Sequence, residues 1–259
     1  MSKANERTPD VEALKARIRQ AIAALSPTDA GHLTEPMIAW VRRLEQPPAR
    51  LGVFPASFNP LTRAHVEIIV RAREHFHLEA IALLPGLTNA DKRAYEAPLE
   101  DRVAMLLVAF QTDPAIAIGV ASHPFFADLI RPLRREYATS EIVFLVGSDT
   151  FERILDREGR YLGRYYMPYR DRVEVLEDLF SASRMIVAAR GQFACSALEQ
   201  LLDEETARFR SRIACLELPE DVKAISATEV RRRIRAGESI AALVPESVEA
   251  YIRATGLYR

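Results

Sequence analysis

The chain has 259 residues, of which 49% are hydrophobic and 27% charged, and its formal net charge at pH 7 is −1. That length and composition allow a globular protein with a full hydrophobic core. The small net charge argues against a protein that binds nucleic acid mainly by electrostatic attraction. No run of residues predicts a membrane-spanning helix or a signal peptide, so we expect a cytoplasmic protein without a membrane partner. The two cysteines, Cys195 and Cys215, have no zinc-type spacing, and we expect two reduced, apolar side chains rather than a disulfide.

The first 49 residues predict a helical extension. Apolar side chains recur every three or four positions through residues 8–25, which is typical of an amphipathic helix. A second helix is predicted over residues 35–44, and a pair of prolines follows it. We therefore divide the chain into an N-terminal extension, residues 1–49, and a main domain, residues 50–259.

The main domain alternates short β-rich runs with longer amphipathic segments. This alternation predicts an α/β fold, a Rossmann-like doubly wound parallel sheet with helices on both faces. The predicted strands cover residues 51–54, 80–84, 116–120, 142–146, 185–189 and 213–216. The predicted helices cover residues 64–74, 99–110, 126–137, 172–180 and 197–208, and the chain is predicted to be helical from residue 225 to its end. Ligands of such sheets bind beyond the carboxyl ends of the strands.

The first predicted strand leads into a polar turn, Ser57-Phe58-Asn59-Pro60, and then into a helix that starts near Thr62. Asn and Pro favour a tight bend after a strand. The unpaired N–H groups and the dipole of a helix start attract anions. His65 lies one turn into the helix, on the same side as Thr62, so both side chains can reach that anion. The segment predicts a phosphate site, although a capping Thr and a packing His give the same pattern.

Residues 225–231 predict a second helix start. Ser226 and Glu229 have the spacing of a capping box, in which Ser occupies the N-cap and Glu the third helical position. Thr228 adds a hydroxyl, and Arg231 adds a planar guanidinium that can bind phosphate through two donors. An ordinary helix start explains this pattern as well as a second phosphate site does.

The first of these segments resembles a known signature. Residues 56–65 are similar to the G-S-F-N/D-P-x-[T/H]-x-G-H motif of the nucleotidylyltransferase superfamily, with Ala56 and Ala64 in place of two glycines. In that superfamily the motif binds ATP, and its T/H-x-x-H pair holds the phosphates during adenylyl transfer. The resemblance implies that Thr62 and His65 stabilise charge at the α-phosphate.

The C-terminal part resembles one family within that group, the nicotinate and nicotinamide mononucleotide adenylyltransferases. Residues 225–231 are similar to the motif I-S-S-T-x-[I/V]-R, with Ala227 in place of one Ser. Residues 237–258 are similar to the family ending G-x-x-x-x-x-L-V-P-x-x-V-x-x-Y-I-x-x-x-G-L-Y. The resemblance covers roughly residues 50–259 and leaves the extension unexplained.

The resemblance implies transfer of an adenylyl group from ATP to a pyridine mononucleotide, with release of pyrophosphate, in NAD biosynthesis. Nicotinate mononucleotide is the first expected acceptor and nicotinamide mononucleotide the second. Mg²⁺ is implied as an ion held by the ATP phosphates, without metal ligands from the protein. His65, Thr62 and Arg231 are the implied catalytic residues. The implied ATP- and phosphate-binding residues are Ser57, Phe58, Asn59, Thr62, His65, Ser226, Thr228 and Arg231.

Four further residues are implied in substrate binding. Gly147 and Asp149 belong to a segment that resembles the family's G-[AS]-D, which lines the substrate cleft. Lys92 and Arg102 stand where the family often has basic residues. The alternatives are a helix cap for Asp149, loop charge for Lys92, and an ion pair with a neighbouring acid for Arg102. Residues 188–191 resemble the family's A-A-R-P-G without the Pro, and no role is assigned to them.

The acceptor is the least determined part of this interpretation. Relatives that act on pyridine mononucleotides often stack the ring on a Trp after the G-x-D segment, but Trp40 is the only Trp here and lies in the extension. The available substitutes are Tyr161, Tyr165, Tyr166 and Tyr169. An adenylyl- or cytidylyltransferase for another phosphorylated acceptor, such as phosphopantetheine, stays open, as does a catalytically silent nucleotide-binding module. A homo-oligomer is compatible with the apolar faces of the extension.

Overall fold

One seven-stranded sheet forms the centre of the protein. The structure, a computed structural model, describes residues 11–25, 35–88, 90–91 and 95–259. The strands are β1 Ile38–Arg42, β2 Arg50–Ala56, β3 Ala80–Pro85, β4 Ile116–Ala121, β5 Glu141–Gly147, β6 Ser183–Ala188 and β7 Ile213–Leu216. Their order is β1-β4-β3-β2-β5-β6-β7. The β1–β4 pair is antiparallel, and all other neighbours are parallel.

Helices cover both faces of the sheet. They are α1 Val11–Ile22, α2 Arg63–Phe76, α3 Leu99–Ala109, α4 Phe126–Glu136, α5 Ser148–Leu155, α6 Arg172–Ala182, α7 Glu220–Lys223, α8 Ala227–Arg235 and α9 Glu246–Thr255. Two 3₁₀ segments, Cys195–Leu201 and Ala207–Arg212, precede β7. Buried side chains of α1, α2, α3, α8 and α9 form one core, and those of α4, α5 and α6 form the other.

The strands contribute alternately to these two cores, as a pleated strand requires. In β2, Val53 faces the core of α4–α6, whereas Phe54 faces the core that contains α2. In β5, Val143 and Leu145 face the core that contains α2, and Phe144 faces the core of α4–α6. The doubly wound α/β prediction is therefore confirmed, and the predicted strands agree with the structure to within two residues at each end.

The strand order places a ligand-binding position at the centre of the sheet. β2 pairs with β3 on one side and with β5 on the other, so the chain changes direction across the sheet between β2 and β5. Ligands of open α/β sheets bind at such a switch point, outside the carboxyl ends of the strands. The polar turn after β2 and the Gly147 end of β5 lie at this edge.

The prediction of a helix over residues 35–44 was wrong, because these residues contain β1. Its Ile-Ala-Trp-Val run fits a short strand as well as a helix turn, and pairing with β4 decides between them. Trp40 lies opposite Gly119, where a Cβ atom would stand 2.9 Å from the indole ring. The indole packs edge-on against Tyr137. The described part of the extension thus contributes the edge strand β1 to the sheet and helix α1 to one of the two cores.

The single helix predicted over residues 197–208 was also wrong. Two 3₁₀ segments stand there instead, separated by a turn at residues 202–206. In that turn the Asp203 N–H donates to the Thr206 hydroxyl at 2.9 Å, and the Thr206 N–H donates to the Asp203 carboxylate at 3.1 Å. Short polar side chains that bond nearby backbone groups compete with helix formation, which explains the break.

Three further features differ from the prediction. Cys195 and Cys215 form a disulfide with Cα atoms 5.6 Å apart, which ties the first 3₁₀ segment to β7. Their proximity depends on the pairing of β6 with β7, which the 20-residue separation does not show. Residues 236–245 form a loop between α8 and α9 instead of continuing a helix, and Gly237 in it has a φ of +68°. Helix α5 was not predicted.

Within the described residues, no helix is both long and apolar enough to cross a membrane. Residues 8–10 of the amphipathic helix predicted in the extension and Lys92, a predicted substrate-binding residue, lie outside the described residues.

Candidate active site

Helix α2 begins at Thr62, directly after the polar turn that follows β2. Thr62 is the N-cap, and its backbone N–H donates to Nδ1 of His65 at 3.0 Å. A backbone N–H can only donate, so Nδ1 must be an acceptor and the proton of the neutral ring must be on Nε2. The start of α2 thereby fixes both the orientation and the tautomer of His65.

Aromatic packing keeps His65 neutral. Its ring centroid lies 5.8 Å from that of Phe54 and 5.2 Å from that of Phe58, and the residue is only 7% exposed. Burial lowers the pKa of His65 to about 3, and the positive charge of Arg190 contributes in the same direction. At neutral pH the ring is therefore an uncharged donor through Nε2–H, on a residue that lines the cleft described below.

Thr62 occupies a different position from the one predicted for a direct phosphate ligand. The residue is completely buried, and its hydroxyl lies 2.8 Å from Nδ1 of His65. In this structure Thr62 acts on His65, and His65 is the member of the pair that lines the cleft. A catalytic role for either residue stays a prediction.

Asn59 shapes the turn through both its side chain and its backbone. Its Oδ1 accepts hydrogen bonds from the Ala97 N–H at 3.2 Å and from the Tyr258 hydroxyl at 2.8 Å. Its carbonyl accepts a hydrogen bond from Arg231 at 2.7 Å. Ser57 and Phe58 line the cleft with it, and Phe58 has a φ of +45°, in the left-handed region that side chains other than Gly rarely adopt.

The second motif starts helix α8 on the other side of the same turn. The Ser226 hydroxyl accepts a hydrogen bond from the Glu229 N–H at 3.2 Å, which confirms the predicted cap. Arg231 donates to Asn59, to the Thr228 hydroxyl at 3.3 Å and to the Glu96 carboxylate at 2.7 Å. The bond to Asn59 joins the two motif segments across 172 positions of sequence.

The end of β5 adds a third wall. Gly147 and Asp149 both line the cleft, and a Cβ on Gly147 would stand 2.7 Å from the Asp149 carboxylate and 3.1 Å from Cδ of Arg190. Gly147 thus leaves room for the Asp149 and Arg190 side chains in their present positions, and a larger residue would require them to shift. Arg190 follows β6, lines the cleft and donates to the Ile225 carbonyl at 3.1 Å, just before the Ser226 cap. No role was assigned to Arg190 from the sequence, although its A-A-R-G segment resembles the family's A-A-R-P-G and could have indicated it.

Arg102 is a buried residue that supports the polar turn. It is 1% exposed and donates to the carbonyls of Ser57 and Gly86, both at 3.1 Å. Its guanidinium carbon lies 3.8 Å from the centroid of the Tyr95 ring. Arg102 therefore links the polar turn to the loop after β3, instead of pairing with Asp101, whose carboxylate contacts Lys15 at 2.6 Å. Substrate binding by Arg102 stays a prediction that this position does not favour.

The three walls enclose one cleft of about 360 Å³, a size typical of small-molecule sites. Its lining includes the two helix starts, which we call the phosphate end, and a separate aromatic cluster of Phe125, Tyr161 and Tyr165, which we call the aromatic end. The rings of Phe125 and Tyr165 are 4.5 Å apart, centroid to centroid. Asp91 accepts a 2.6 Å hydrogen bond from the Tyr161 hydroxyl and pairs with Arg153 at 3.1 Å.

The other candidate aromatic residues lie outside the lining of this cleft. Tyr166 packs edge-on against His123, and the Tyr169 hydroxyl donates to Asp178. Trp40 lies in β1. The aromatic end therefore uses Tyr161 and Tyr165 of the tyrosine-rich segment, together with Phe125, which sequence reasoning missed and no motif indicated.

A buried carboxyl anchors this tyrosine-rich segment. Asp128 of α4 is 2% exposed, and its Oδ1 accepts a hydrogen bond from the Tyr166 N–H at 3.0 Å. Its Oδ2 is buried and has no hydrogen-bond partner among the described residues. Burial raises the pKa of Asp128 to about 6, against the effect of the Tyr166 N–H, and the nearby Asp178 charge adds to the increase.

Comparisons with known proteins agree with this geometry. A family model described as cytidylyltransferase-like matches residues 53–233. Probable nicotinate-nucleotide adenylyltransferases of Syntrophotalea carbinolica and Geobacter sulfurreducens are each 31% identical to the chain over 81% of its length, which covers 97% and 98% of those relatives.

A solved structure shows the same fold. It is the nicotinic acid mononucleotide adenylyltransferase of Plasmodium falciparum complexed with APC, with a TM-score of 0.58 and 15% identity over 81% of this chain and 97% of that one. The family resemblance inferred from the motifs is confirmed by the sequence relatives. The chain therefore belongs to the nicotinate-nucleotide adenylyltransferases, which are nucleotidyltransferases of the cytidylyltransferase-like group.

Proposed function

We propose that the protein transfers the adenylyl group of ATP to nicotinate mononucleotide, with release of pyrophosphate, in NAD biosynthesis. The observation that carries this proposal is the 2.7 Å hydrogen bond from Arg231 to the Asn59 carbonyl, because it brings both phosphate motifs to one cleft. The relatives named for nicotinate nucleotide support this acceptor, with nicotinamide mononucleotide second. The cytoplasm is the proposed location.

The triphosphate of ATP would lie between the starts of α2 and α8. His65 supplies a neutral N–H donor there, Ser226 and Thr228 supply hydroxyls, and Arg231 and Arg190 supply positive charge. Helix starts favour bound anions through their N–H groups and dipoles. The Glu96 carboxylate accepts a 2.7 Å hydrogen bond from Nε of Arg231, so phosphate oxygens would compete with Glu96 for that guanidinium.

The reaction needs no nucleophile from the protein. A phosphate oxygen of the mononucleotide attacks the α-phosphorus of ATP and forms the new P–O bond. The bond from that phosphorus to the α–β bridging oxygen breaks, and its electron pair leaves with pyrophosphate. Negative charge grows on the departing bridging oxygen, and preorganised donors such as His65 and Arg190 stabilise it.

Mg²⁺ fits this scheme as an ion that enters with the triphosphate. No group of three or more His, Cys, Asp or Glu side chains among the described residues is placed to hold a metal ion. Mg²⁺ is commonly bound through substrate phosphates and water, and there it would neutralise phosphate charge. Arg231 and Arg190 would share that task from the protein side.

The pyridine ring of the acceptor would pack at the aromatic end of the cleft. Phe125, Tyr161 and Tyr165 offer faces and edges to a flat ring, and such contacts are favourable at centroid distances of about 4.5–7 Å. The phosphate of the mononucleotide would then point toward the helix starts, where the α-phosphate of ATP is expected.

A direct assay tests the proposed function. The purified protein is incubated with ATP and Mg²⁺ and with one acceptor at a time, and pyrophosphate and dinucleotide are measured. The acceptors are nicotinate mononucleotide, nicotinamide mononucleotide and phosphopantetheine, and CTP replaces ATP in a parallel series. We expect dinucleotide with nicotinate mononucleotide at the highest kcat/KM. A higher kcat/KM with phosphopantetheine or CTP, or ATP binding without product from any acceptor, contradicts the proposal.

A further inference from the structure

We propose that Tyr258, the penultimate residue, is a positioning residue of the triphosphate site that acts through Asn59. The inference rests on the proposed function for the identity of the ligand, ATP. It concerns a residue outside the two phosphate motifs, at the end of the chain.

The Tyr258 hydroxyl lies at the junction of these motifs. It donates to Oδ1 of Asn59 at 2.8 Å, and the two residues are 8% and 7% exposed. The same oxygen accepts the Ala97 N–H at 3.2 Å, while the Asn59 carbonyl accepts the 2.7 Å hydrogen bond from Arg231. Tyr258 therefore holds the side chain of the residue whose backbone connects the polar turn to α8.

The end of α9 delivers this ring to the turn. Gly256 terminates the helix with a φ of +69°, and its N–H donates to the Ile252 carbonyl at 2.9 Å. Tyr258 itself has a φ of +67°, a strained conformation for a residue with a side chain. Because the surrounding packing maintains that conformation, the hydroxyl is held in a fixed position.

The surroundings keep the hydroxyl protonated. Burial raises the pKa of Tyr258, and the charges of Arg231 and Arg102 only partly oppose that effect. Tyr258 therefore stays a donor over the ordinary pH range. A backbone hydrogen bond also joins the C-terminal region to the start of α2: the Arg63 N–H donates to the Leu243 carbonyl at 2.8 Å.

Loss of the hydroxyl would leave Oδ1 of Asn59 with the Ala97 N–H alone. The Asn59 side chain could then rotate, and its carbonyl would hold Arg231 less firmly. We expect weaker binding of the triphosphate, with a smaller effect on the acceptor. A buried hydrogen bond of this kind corresponds to about a tenfold change in affinity.

Tyr258→Phe removes the hydroxyl and keeps the ring, and Tyr251→Phe is its matched control. Tyr251 is buried in α9, and its hydroxyl donates to Asp101 at the same distance, 2.8 Å, instead of to a residue of the polar turn. For each variant we would measure the Kd for ATP by calorimetry, the KM for ATP, the KM for the acceptor and the Tm. Comparable losses of Tm are expected in the two variants, but only Tyr258→Phe should raise the Kd and KM for ATP, by about tenfold.

The proposal is overturned if Tyr258→Phe binds ATP as tightly as the wild-type protein does. It is also overturned if Tyr251→Phe weakens ATP binding as much, because the effect would then reflect general stability. Since calorimetry with ATP needs no acceptor, a wild-type protein that binds ATP but adenylylates no pyridine mononucleotide contradicts the proposed function and leaves the comparison of the two tyrosines valid. A wild-type protein that binds no ATP contradicts both.

Discussion

The two ends of the cleft are built in different ways. At the phosphate end, buried and half-buried side chains have fixed partners: Thr62 holds His65, and Arg231 holds the Asn59 carbonyl. At the aromatic end, exposed charged groups pair with one another, and Arg153 contacts both Asp91 and Asp149. Exposed pairs of this kind contribute little to stability and rearrange easily. We therefore propose that the phosphate end is preorganised for charge that develops during the reaction, and that the aromatic end adjusts to its acceptor.

The strongest test of the phosphate end is His65→Ala. Loss of one preorganised donor is expected to lower kcat by about 100-fold or more. Steady-state kinetics with saturating acceptor measure this change. His75→Ala is the control, because His75 lies in the same helix with an exposed side chain, whose Nδ1 lies 3.0 Å from the Arg71 carbonyl oxygen. A kcat near the wild-type value for His65→Ala would show that the phosphate end is assigned to the wrong residues.

The tyrosine-rich segment behind the aromatic end is anchored by a buried carboxyl, Asp128, whose charge opposes folding. The pKa of Asp128 is raised from 3.8 to about 6, a difference that corresponds to about 3 kcal/mol. The contribution of Asp128 to stability should therefore fall as the pH rises from about 4 to 6, because the folded protein keeps a proton that the unfolded chain releases. Above about pH 6 the full free-energy cost of burying the ionised Asp128 carboxylate remains.

Asp128→Asn removes this penalty and keeps the acceptor for the Tyr166 N–H. We expect the variant to be about 2 kcal/mol more stable than the wild-type protein at pH 8, less than the full 3 because the new amide nitrogen has no partner. The gain should vanish near pH 4. Urea unfolding at both pH values measures it, with the exposed Asp221→Asn as control. An equal gain at pH 4 and pH 8 would contradict a titrating, buried Asp128.

Tyr165→Ala tests the aromatic end as an acceptor site. Loss of its ring contacts should raise the KM for the mononucleotide by about tenfold, because aromatic pairs contribute about 0.5–1.5 kcal/mol beyond their buried area. The KM for ATP should not change. Tyr166→Ala is the matched control, since its side chain lies outside the cleft and its N–H to Asp128 is retained. If Tyr165→Ala changed only the KM for ATP, the aromatic end would bind ATP rather than the acceptor, and the assignment of the two ends would be wrong.

Thr62→Ala should have the smallest effect at the phosphate end. The backbone N–H of residue 62 still fixes the tautomer of His65, so only the hydroxyl contact is lost. We expect kcat to fall by about threefold to tenfold, the range of one neutral hydrogen bond. Thr62→Ser keeps the hydroxyl and should remain close to the wild-type protein. If Thr62→Ala matches His65→Ala instead, Thr62 contacts the phosphate itself.

The phosphate end could be predicted from the sequence because its structure is local. A strand, a turn and a helix start follow one another within residues 50–65, and the second helix start carries its own cap at Ser226. The aromatic end depends on contacts between distant segments. Phe125 and Tyr165 are 40 positions apart, and only the packing of α4 against the segment after α5 brings their rings together.

The same reasoning explains the errors in the predicted fold. The central strands are short apolar runs, and they were located to within two residues. The Ile-Ala-Trp-Val run of β1 was assigned to a helix, because the antiparallel partner that makes it a strand, β4, lies about 80 positions away. The Cys195–Cys215 bond likewise follows from strand pairing rather than from spacing.

The central claim is that the starts of α2 and α8 bind one triphosphate together. A crystal structure of the complex with a non-hydrolysable ATP analogue tests it most directly. We expect phosphate oxygens within hydrogen-bond distance of Nε2 of His65 and of the Arg231 guanidinium, with the Glu96 carboxylate displaced. A triphosphate bound at the aromatic end, or held by only one of the two helix starts, would contradict the account.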